Sequence, residues 1–371
     1  MRTRINRREW LLASAVAPLA LRPVLARAAR RGVRTAPIRL HSNENPYGPS
    51  QAAQAAMSAA SGESNLYPSS RYHELTTLIA EREGLTPDHV VLGAGSHEVL
   101  RMTAMAYGLA GGEILTAFPT FEGMESYASS IGAHIHRVPV DDNLATDLTR
   151  IQERLTQAVK LVFVCNPNNP TGTITPDSAL QPFVKNTSKH SVVFVDEAYY
   201  ELVTDPEYRT MVPLVQAGRN VIVSRTFSKV YGLAGLRVGY AMARPDIAAR
   251  LRQFRTDNSI NIIGLRAAIA AYQDPAFVTW SRDSIASERN KVAARLKELG
   301  HRSVPSHTNF LFFHLGRPIG GFQRAMASQG ILVGRPFPPY LDWCRLSIGR
   351  PEEMAAFMDA FHLVMNDSSA N

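Results

Sequence analysis

Short apolar runs rich in Val, Ile, Leu and Phe recur along this chain, and between them apolar residues return at helical spacing. Strands are read at 89–93, 113–117, 134–140, 159–165, 191–196, 220–224 and 237–243. Strands alternating with helices in this way predict a mostly parallel sheet with helices on both faces. A long helical region follows from about 245 to 298. Beyond it, Asn309-Phe-Leu-Phe-Phe313, Ile331–Val333 and Cys344–Ile348 read as strands, and 351–366 as a closing amphipathic helix. Residues 37–62 read as an N-terminal arm and a first helix. There is no internal repeat, and low complexity is confined to the Ser/Ala/Asn tail.

With 371 residues, 45% of them hydrophobic, the chain can bury a large core and divides into two domains. A formal charge of +8 suggests a nucleic-acid partner until it is located. Residues 1–34 hold nine arginines and one acid, Glu9, so the remainder is close to neutral. No basic stripe is left for a phosphate backbone, which argues against nucleic-acid binding.

The basic N-terminus reads as a targeting segment. Asn6-Arg-Arg-Glu-Trp-Leu-Leu12 opens an apolar stretch to about Leu21, and Leu25-Ala-Arg-Ala28 offers small residues at a cleavage site. Residues 1–28 are therefore expected to be a signal peptide. The arginine pair before an aromatic and leucines is similar to the twin-arginine export class, whose machinery is an expected partner, with a periplasmic or exported destination. A cytoplasmic enzyme with a basic tail is the alternative. The apolar stretch is too short for a membrane span of ~20 residues. Cys165 and Cys344 lie on separate segments and match no metal-ligand spacing, so two buried thiols are expected, and no metal.

The richest chemistry lies in Val223-Ser-Arg-Thr-Phe-Ser-Lys-Val-Tyr-Gly-Leu-Ala-Gly-Leu-Arg237. Lys229 can condense with an aldehyde beside Thr226, Ser228 and Arg237, which can hold a phosphate dianion; pyridoxal phosphate needs both. Three further segments bear on this. Val162-Phe-Val-Cys-Asn-Pro-Asn-Asn-Pro-Thr-Gly172 is a strand entering a sharp turn. Val192-Val-Phe-Val-Asp-Glu-Ala-Tyr-Tyr200 delivers Asp196 at a strand's C-terminal end, where it can hold a pyridine nitrogen protonated or cap a helix. Val91-Leu-Gly-Ala-Gly-Ser-His-Glu98 is a strand, a glycine turn and a helix start whose amides can cradle a phosphate.

Together and in this order, the segments resemble the fold-type-I pyridoxal-phosphate aminotransferases, most closely the histidinol-phosphate aminotransferase family. The resemblance runs from about Leu40 to the C-terminus. It includes His41-Ser-Asn-Glu-Asn-Pro46, Asn65-Leu-Tyr-Pro68, Pro119-Thr-Phe121 and Cys344-Arg-Leu-Ser-Ile-Gly349. It implies a large domain with a mostly parallel seven-stranded sheet containing one antiparallel strand, matched by 237–243, and a smaller α+β domain. The expected division is 29–62 for linker, arm and first part of the small domain, 63–262 for the large cofactor domain, and 263–371 for the small C-terminal domain.

The resemblance also implies residue roles. Lys229 bonds the cofactor and then moves the substrate proton, Asp196 pairs with the pyridine nitrogen, and Tyr199 and Asn169 bond the ring oxygen. Phe121 stacks on the ring, with Phe where many relatives carry Tyr. Gly95, Ser96, Thr226, Ser228 and Arg237 surround the phosphate. His97 stands there in place of an acid, either as an added donor or as an ordinary helix-start residue. Tyr67 matches a tyrosine contributed across a homodimer interface. Arg345 matches the arginine that grips a substrate carboxylate, Asn309 an asparagine near that carboxylate, and Arg335 is either a second substrate cation or a solvated loop residue.

The expected reaction moves an amino group from histidinol phosphate, an aromatic amino acid or another donor to 2-oxoglutarate in a ping-pong cycle. Decarboxylation of a phosphorylated amino acid, or an inactive binding protein on the same fold, are the alternatives.

Overall fold

The computed structural model describes residues 36–366. The signal-peptide reading of residues 1–28 lies outside the described residues. Seven strands make the central sheet: β1 Val90–Gly93, β2 Glu113–Phe118, β3 His134–Pro139, β4 Val159–Cys165, β5 Val192–Asp196, β6 Val221–Thr226 and β7 Gly239–Ala243. Their order is β1-β7-β6-β5-β4-β2-β3, parallel throughout except for β7, which runs antiparallel to both β1 and β6. The inner strands are buried along nearly their whole length, as strands covered on both faces must be. Edge strand β3 carries His134, His136 and Arg137 and is largely exposed, which keeps its free edge polar.

Register fixes the site. Cys165 at the end of β4 is paired with Asp196 at the end of β5, Asp196 with Ser224 on β6, and Thr226 with Gly239 on β7. The C-terminal strand edge thus brings together residues far apart in the chain, at the position where open parallel sheets bind ligands. Glu197, next to Asp196, is buried and accepts from Thr210 Oγ1, the Met211 amide and Arg225 Nε at 2.8–3.0 Å. Arg225 also donates to Glu83 at 2.8 Å and lies 3.8 Å from the Tyr200 ring centroid. This satisfied buried network pins the ends of β5 and β6 beneath the site.

Two expectations need correction. The helical region 245–298 is three helices, Pro245–Arg252, Ile262–Tyr272 and Pro275–Glu298. The breaks are chemical. Asn261 accepts from the Gly264 amide at 2.7 Å and Asp274 from the Phe277 amide at 3.1 Å, each capping a new helix, and Pro275 cannot continue the previous one. The strand expected at 237–243 begins only at Gly239, because Arg237 takes a left-handed conformation with φ 55° after the turn Ala234–Leu236.

Past the third helix, β8 Phe310–His314 pairs antiparallel with β10 Trp343–Ser347, and β9 Ile331–Val333 lies between them in sequence. The helix Pro351–Asn366 closes this part, burying Phe357 and Phe361 against it. No helix among the described residues is long and apolar enough to cross a membrane.

Candidate active site

A cavity of about 640 Å³ opens over the C-terminal strand edge. Lys229, Asp196, Tyr199, Asn169, Phe121, Ser96, His97, Thr226, Ser228, Arg237, Arg335 and Arg345 all line it, so most of the residues singled out in the sequence meet in one place.

Lys229 Nζ donates to the backbone carbonyl of Asn43 at 3.2 Å and lies 5.5 Å from the Tyr199 ring centroid. Burial pushes its ammonium down to about 8; Arg345 and Arg237 add to that push and Asp196 opposes it. A lysine so placed is partly a neutral amine near physiological pH, as a nucleophile or proton carrier must be. Asp196 is almost wholly buried, and burial raises its carboxyl to about 7, against the hydrogen bond it accepts from the Ala198 amide at 3.1 Å and the charge of Lys229. The Tyr199 hydroxyl accepts from Asn43 Nδ2 at 3.0 Å and Asn169 Nδ2 at 3.5 Å. Burial raises its pKa, so it stays protonated with its own hydrogen available to an acceptor in the cavity.

One wall is an anion cradle. The helix Ser96–Gly108 starts there with no side-chain cap, leaving its first amides available. Gly95 has φ 74°, and a Cβ there would stand 2.2 Å from Arg237 Nη2. Gly239 is equally constrained: a Cβ would meet the Ser96 nitrogen at 2.4 Å. Arg237 is held by Nη1 donating to Ser228 Oγ at 3.2 Å and to the Ala234 carbonyl at 2.9 Å, and Thr226 Oγ1 donates to Ser228 Oγ at 3.0 Å.

Across the cavity, buried Arg345 donates from Nη1 to Asn169 Oδ1 at 2.8 Å and from Nη2 to the His41 carbonyl at 2.7 Å, while its Nε has no hydrogen-bond partner among the described residues. Burial lowers its pKa to about 10, which leaves it cationic at neutral pH. Arg335 pairs with Glu122 at 2.5 Å. The Phe121 and His97 rings meet edge to face, 5.4 Å between centroids.

Three of the expected residues are not on the cavity wall, Gly95 in the turn before the helix Ser96–Gly108 among them. Asn309 is buried behind it, donating to the carbonyls of Asn43 and Glu44 at 2.9 and 3.2 Å. Tyr67 is 84% exposed, on a turn that presents Leu66 beside it.

The residues fit pyridoxal phosphate. An uncapped helix start beside an arginine suits its phosphate, a buried carboxylate its pyridine nitrogen, a protonated tyrosine its ring oxygen, and a depressed lysine its aldehyde. The profile of the family Aminotransferase class I and II matches residues 35–361. The chain belongs to this family.

The aminotransferase is 38% identical over 331 residues to the histidinol-phosphate aminotransferase of Moorella thermoacetica, covering 88% of this chain and 85% of that protein. It is 35% identical over 321 residues to the aromatic amino acid aminotransferase of Mycobacteroides abscessus, covering 86% and 91%. Among solved structures, the histidinol-phosphate aminotransferase of Sinorhizobium meliloti in complex with pyridoxal-5'-phosphate superposes with a TM-score of 0.83 at 26% identity, covering 95% of this chain and 99% of that one. The fold is fold type I, the cofactor pyridoxal phosphate and the activity transamination.

Sequence reasoning assigned no role to Asn43, the hub of this aminotransferase's site. Its carbonyl receives Lys229 and Asn309, its amide side chain reaches Tyr199, and its backbone amide and Oδ1 bond Ser347 Oγ at 2.8 and 3.0 Å. The stretch His41–Pro46 was visible only as part of a family resemblance; nothing in its composition signals a catalytic neighbour. Glu122, Phe337 and Gln323 also line the cavity without a sequence signal.

Proposed function

We propose that this aminotransferase takes its amino group from a donor bearing a flat ring, an aromatic amino acid or histidinol phosphate, and passes it to 2-oxoglutarate. The observation that carries the proposal is one buried guanidinium, Arg345, facing the same cavity as Lys229 and as the rings of Phe121, His97 and Phe337. The names of the relatives point the same way, since they divide between histidinol phosphate and aromatic amino acids.

When bound, pyridoxal phosphate supplies an electrophilic aldehyde and a ring that accepts electron density from the substrate carbon. Lys229, partly a neutral amine, would hold the proton taken from that carbon and give it back on the far side of the nitrogen, or the reverse. Asp196 would hold the ring nitrogen protonated, and Tyr199 would donate its hydroxyl hydrogen to the ring oxygen. Arg345 grips the anionic group next to the reacting carbon, a carboxylate or a phosphate ester, and orients the bond to be broken. Asn169 couples the two ends, accepting from Arg345 and donating to Tyr199.

The test is a panel of donors against the purified protein, with and without 2-oxoglutarate. Ring-bearing donors should turn over only with the keto acid; turnover without it would mean decarboxylation instead. In the same assay, Arg345→Ala should lower kcat/KM for carboxylate donors by a factor corresponding to ~2–5 kcal/mol, and Arg345→Lys should restore little, because an ammonium lacks the planar fork. Unchanged kinetics in Arg345→Ala would remove this residue from the substrate site.

The proposal extends to a homodimer in which Tyr67 of each subunit reaches the neighbouring cavity. Its support is an exposed Leu66-Tyr67 pair, a bulky apolar surface outside the chain's own site. Mixing Tyr67→Ala with Lys229→Ala subunits should then regain activity that neither variant has alone. An active monomer in light scattering would reject it.

We also propose export of the folded, cofactor-loaded enzyme, on the strength of Arg7-Arg8 before Trp10 and a short apolar run. Changing both arginines to lysine keeps the charge, so precursor should accumulate, active, in the cytoplasm. Uncleaved wild-type protein in the cytosol would sink the idea.

A further inference from the structure

Glu122 and Arg335 both line the cavity and meet there. Glu122 precedes the helix Gly123–Ser130, just past the end of β2, whereas Arg335 follows β9, more than two hundred residues later. Their side chains are joined at 2.5 Å and both are about half exposed. Of the other acids lining the cavity, Glu44 is paired with Arg39 at 2.6 Å, and Asp196 lies buried at the sheet edge. Glu122 is therefore the acid engaged with Arg335.

Phe337 connects this pair to the substrate arginine. Its ring centroid lies 4.2 Å from Arg335 Cζ and 4.8 Å from Arg345 Cζ. The shared ring keeps the two guanidiniums within the span of a single dicarboxylate. A transaminase of ring-bearing donors has to accept, in the same cavity, a neutral ring in one half-reaction and a distal carboxylate in the other.

We propose that Glu122 is a specificity-determining counter-ion: it holds Arg335 in a closed ion pair over neutral-ring substrates and yields Arg335 to the distal carboxylate of glutamate or 2-oxoglutarate. This rests on the transaminase assignment above and adds to it the residue that sets the balance between the two substrate classes. An ion pair this exposed is weak and salt-screened, which is what an exchangeable partner requires. A distal carboxylate replaces one anion by another at Arg335, so Glu122 acts as its competitor. A neutral ring packs against Phe121 and Phe337 without disturbing the pair.

Binding to the cofactor-loaded protein separates the two cases without turnover. The probes are glutarate, a five-carbon dicarboxylate, and 3-phenylpropionate, a ring with one carboxylate, titrated by calorimetry at low and high salt. Glu122→Gln should tighten glutarate by about 2–5-fold at low salt and leave 3-phenylpropionate unchanged. Arg335→Gln should weaken glutarate, again sparing 3-phenylpropionate, and added salt should shrink both effects. Equal changes for the two ligands, or no change for glutarate in either variant, would overturn the gate. A wild-type protein that shows the predicted binding selectivity but transaminates no donor would instead reject the functional proposal and leave the gate standing.

Discussion

Lys229→Ala should lower transamination by about 10⁴-fold or more, because one side chain is both the group that bonds the cofactor and the proton carrier. The structure makes the loss specific. Among the described residues, no other lysine lines the cavity, and the neighbouring bases His41 and His97 stand beside arginines rather than at the Asp196–Tyr199 position. The alanine variant should fold, since Lys229 makes a single hydrogen bond, to the Asn43 carbonyl. Borohydride reduction of the wild type should fix the cofactor to the peptide containing residue 229. Label on a different lysine would refute the assignment.

Asp196→Asn should cost about 10³-fold in turnover, because a neutral amide cannot keep the ring nitrogen cationic. The same change should stabilise the cofactor-free protein, and the sign follows from linkage. The folded-state carboxyl titrates near 7 rather than at its ordinary 3.8, so between those values the folded chain holds a proton that the unfolded chain has released. The stability this proton confers is complete below about pH 4 and is lost as pH rises through 7. Asparagine does not titrate and keeps the contact with the Ala198 amide. Cofactor-free Asp196→Asn should therefore melt with the wild type near pH 4 and above it at pH 7.5, by an amount on the order of a few kcal/mol. A variant that melts lower at pH 7.5 would show that the buried carboxylate is not the liability its surroundings indicate. Function here is held against stability: the enzyme keeps a desolvated acid that only a cationic ring nitrogen can satisfy.

The sheet was legible in the sequence because its inner strands are covered on both faces. Runs such as Leu161–Cys165 and Val192–Asp196 have no choice but to be continuous and apolar. Asp196 and Arg345 were legible for a related reason: each sits at the end of such a run or inside a strand, where charge is out of place unless it is used, and Lys229 follows β6 in a turn beside the hydroxyls of Thr226 and Ser228. The caps at Asn261 and Asp274 were less so, since an Asn or Asp in a helical pattern declares itself only through its hydrogen bond. Least legible were the contacts that bind the site together. Arg345 with Asn169, Arg335 with Glu122 and Asn43 with Ser347 are separated by 176, 213 and 304 positions, and no local pattern encodes such pairings.

The N-terminal arm carries one more implication. Through Asn43 it touches Lys229, Tyr199, Asn309 and Ser347, yet none of the seven central strands passes through it. A single proteolytic cut between Leu40 and Asn45 would leave the hydrophobic core and its cooperativity in place while unmooring the catalytic amine. Nicked protein could then pass every test of foldedness and fail every assay. For this enzyme, arm integrity is a criterion of quality separate from solubility or melting temperature.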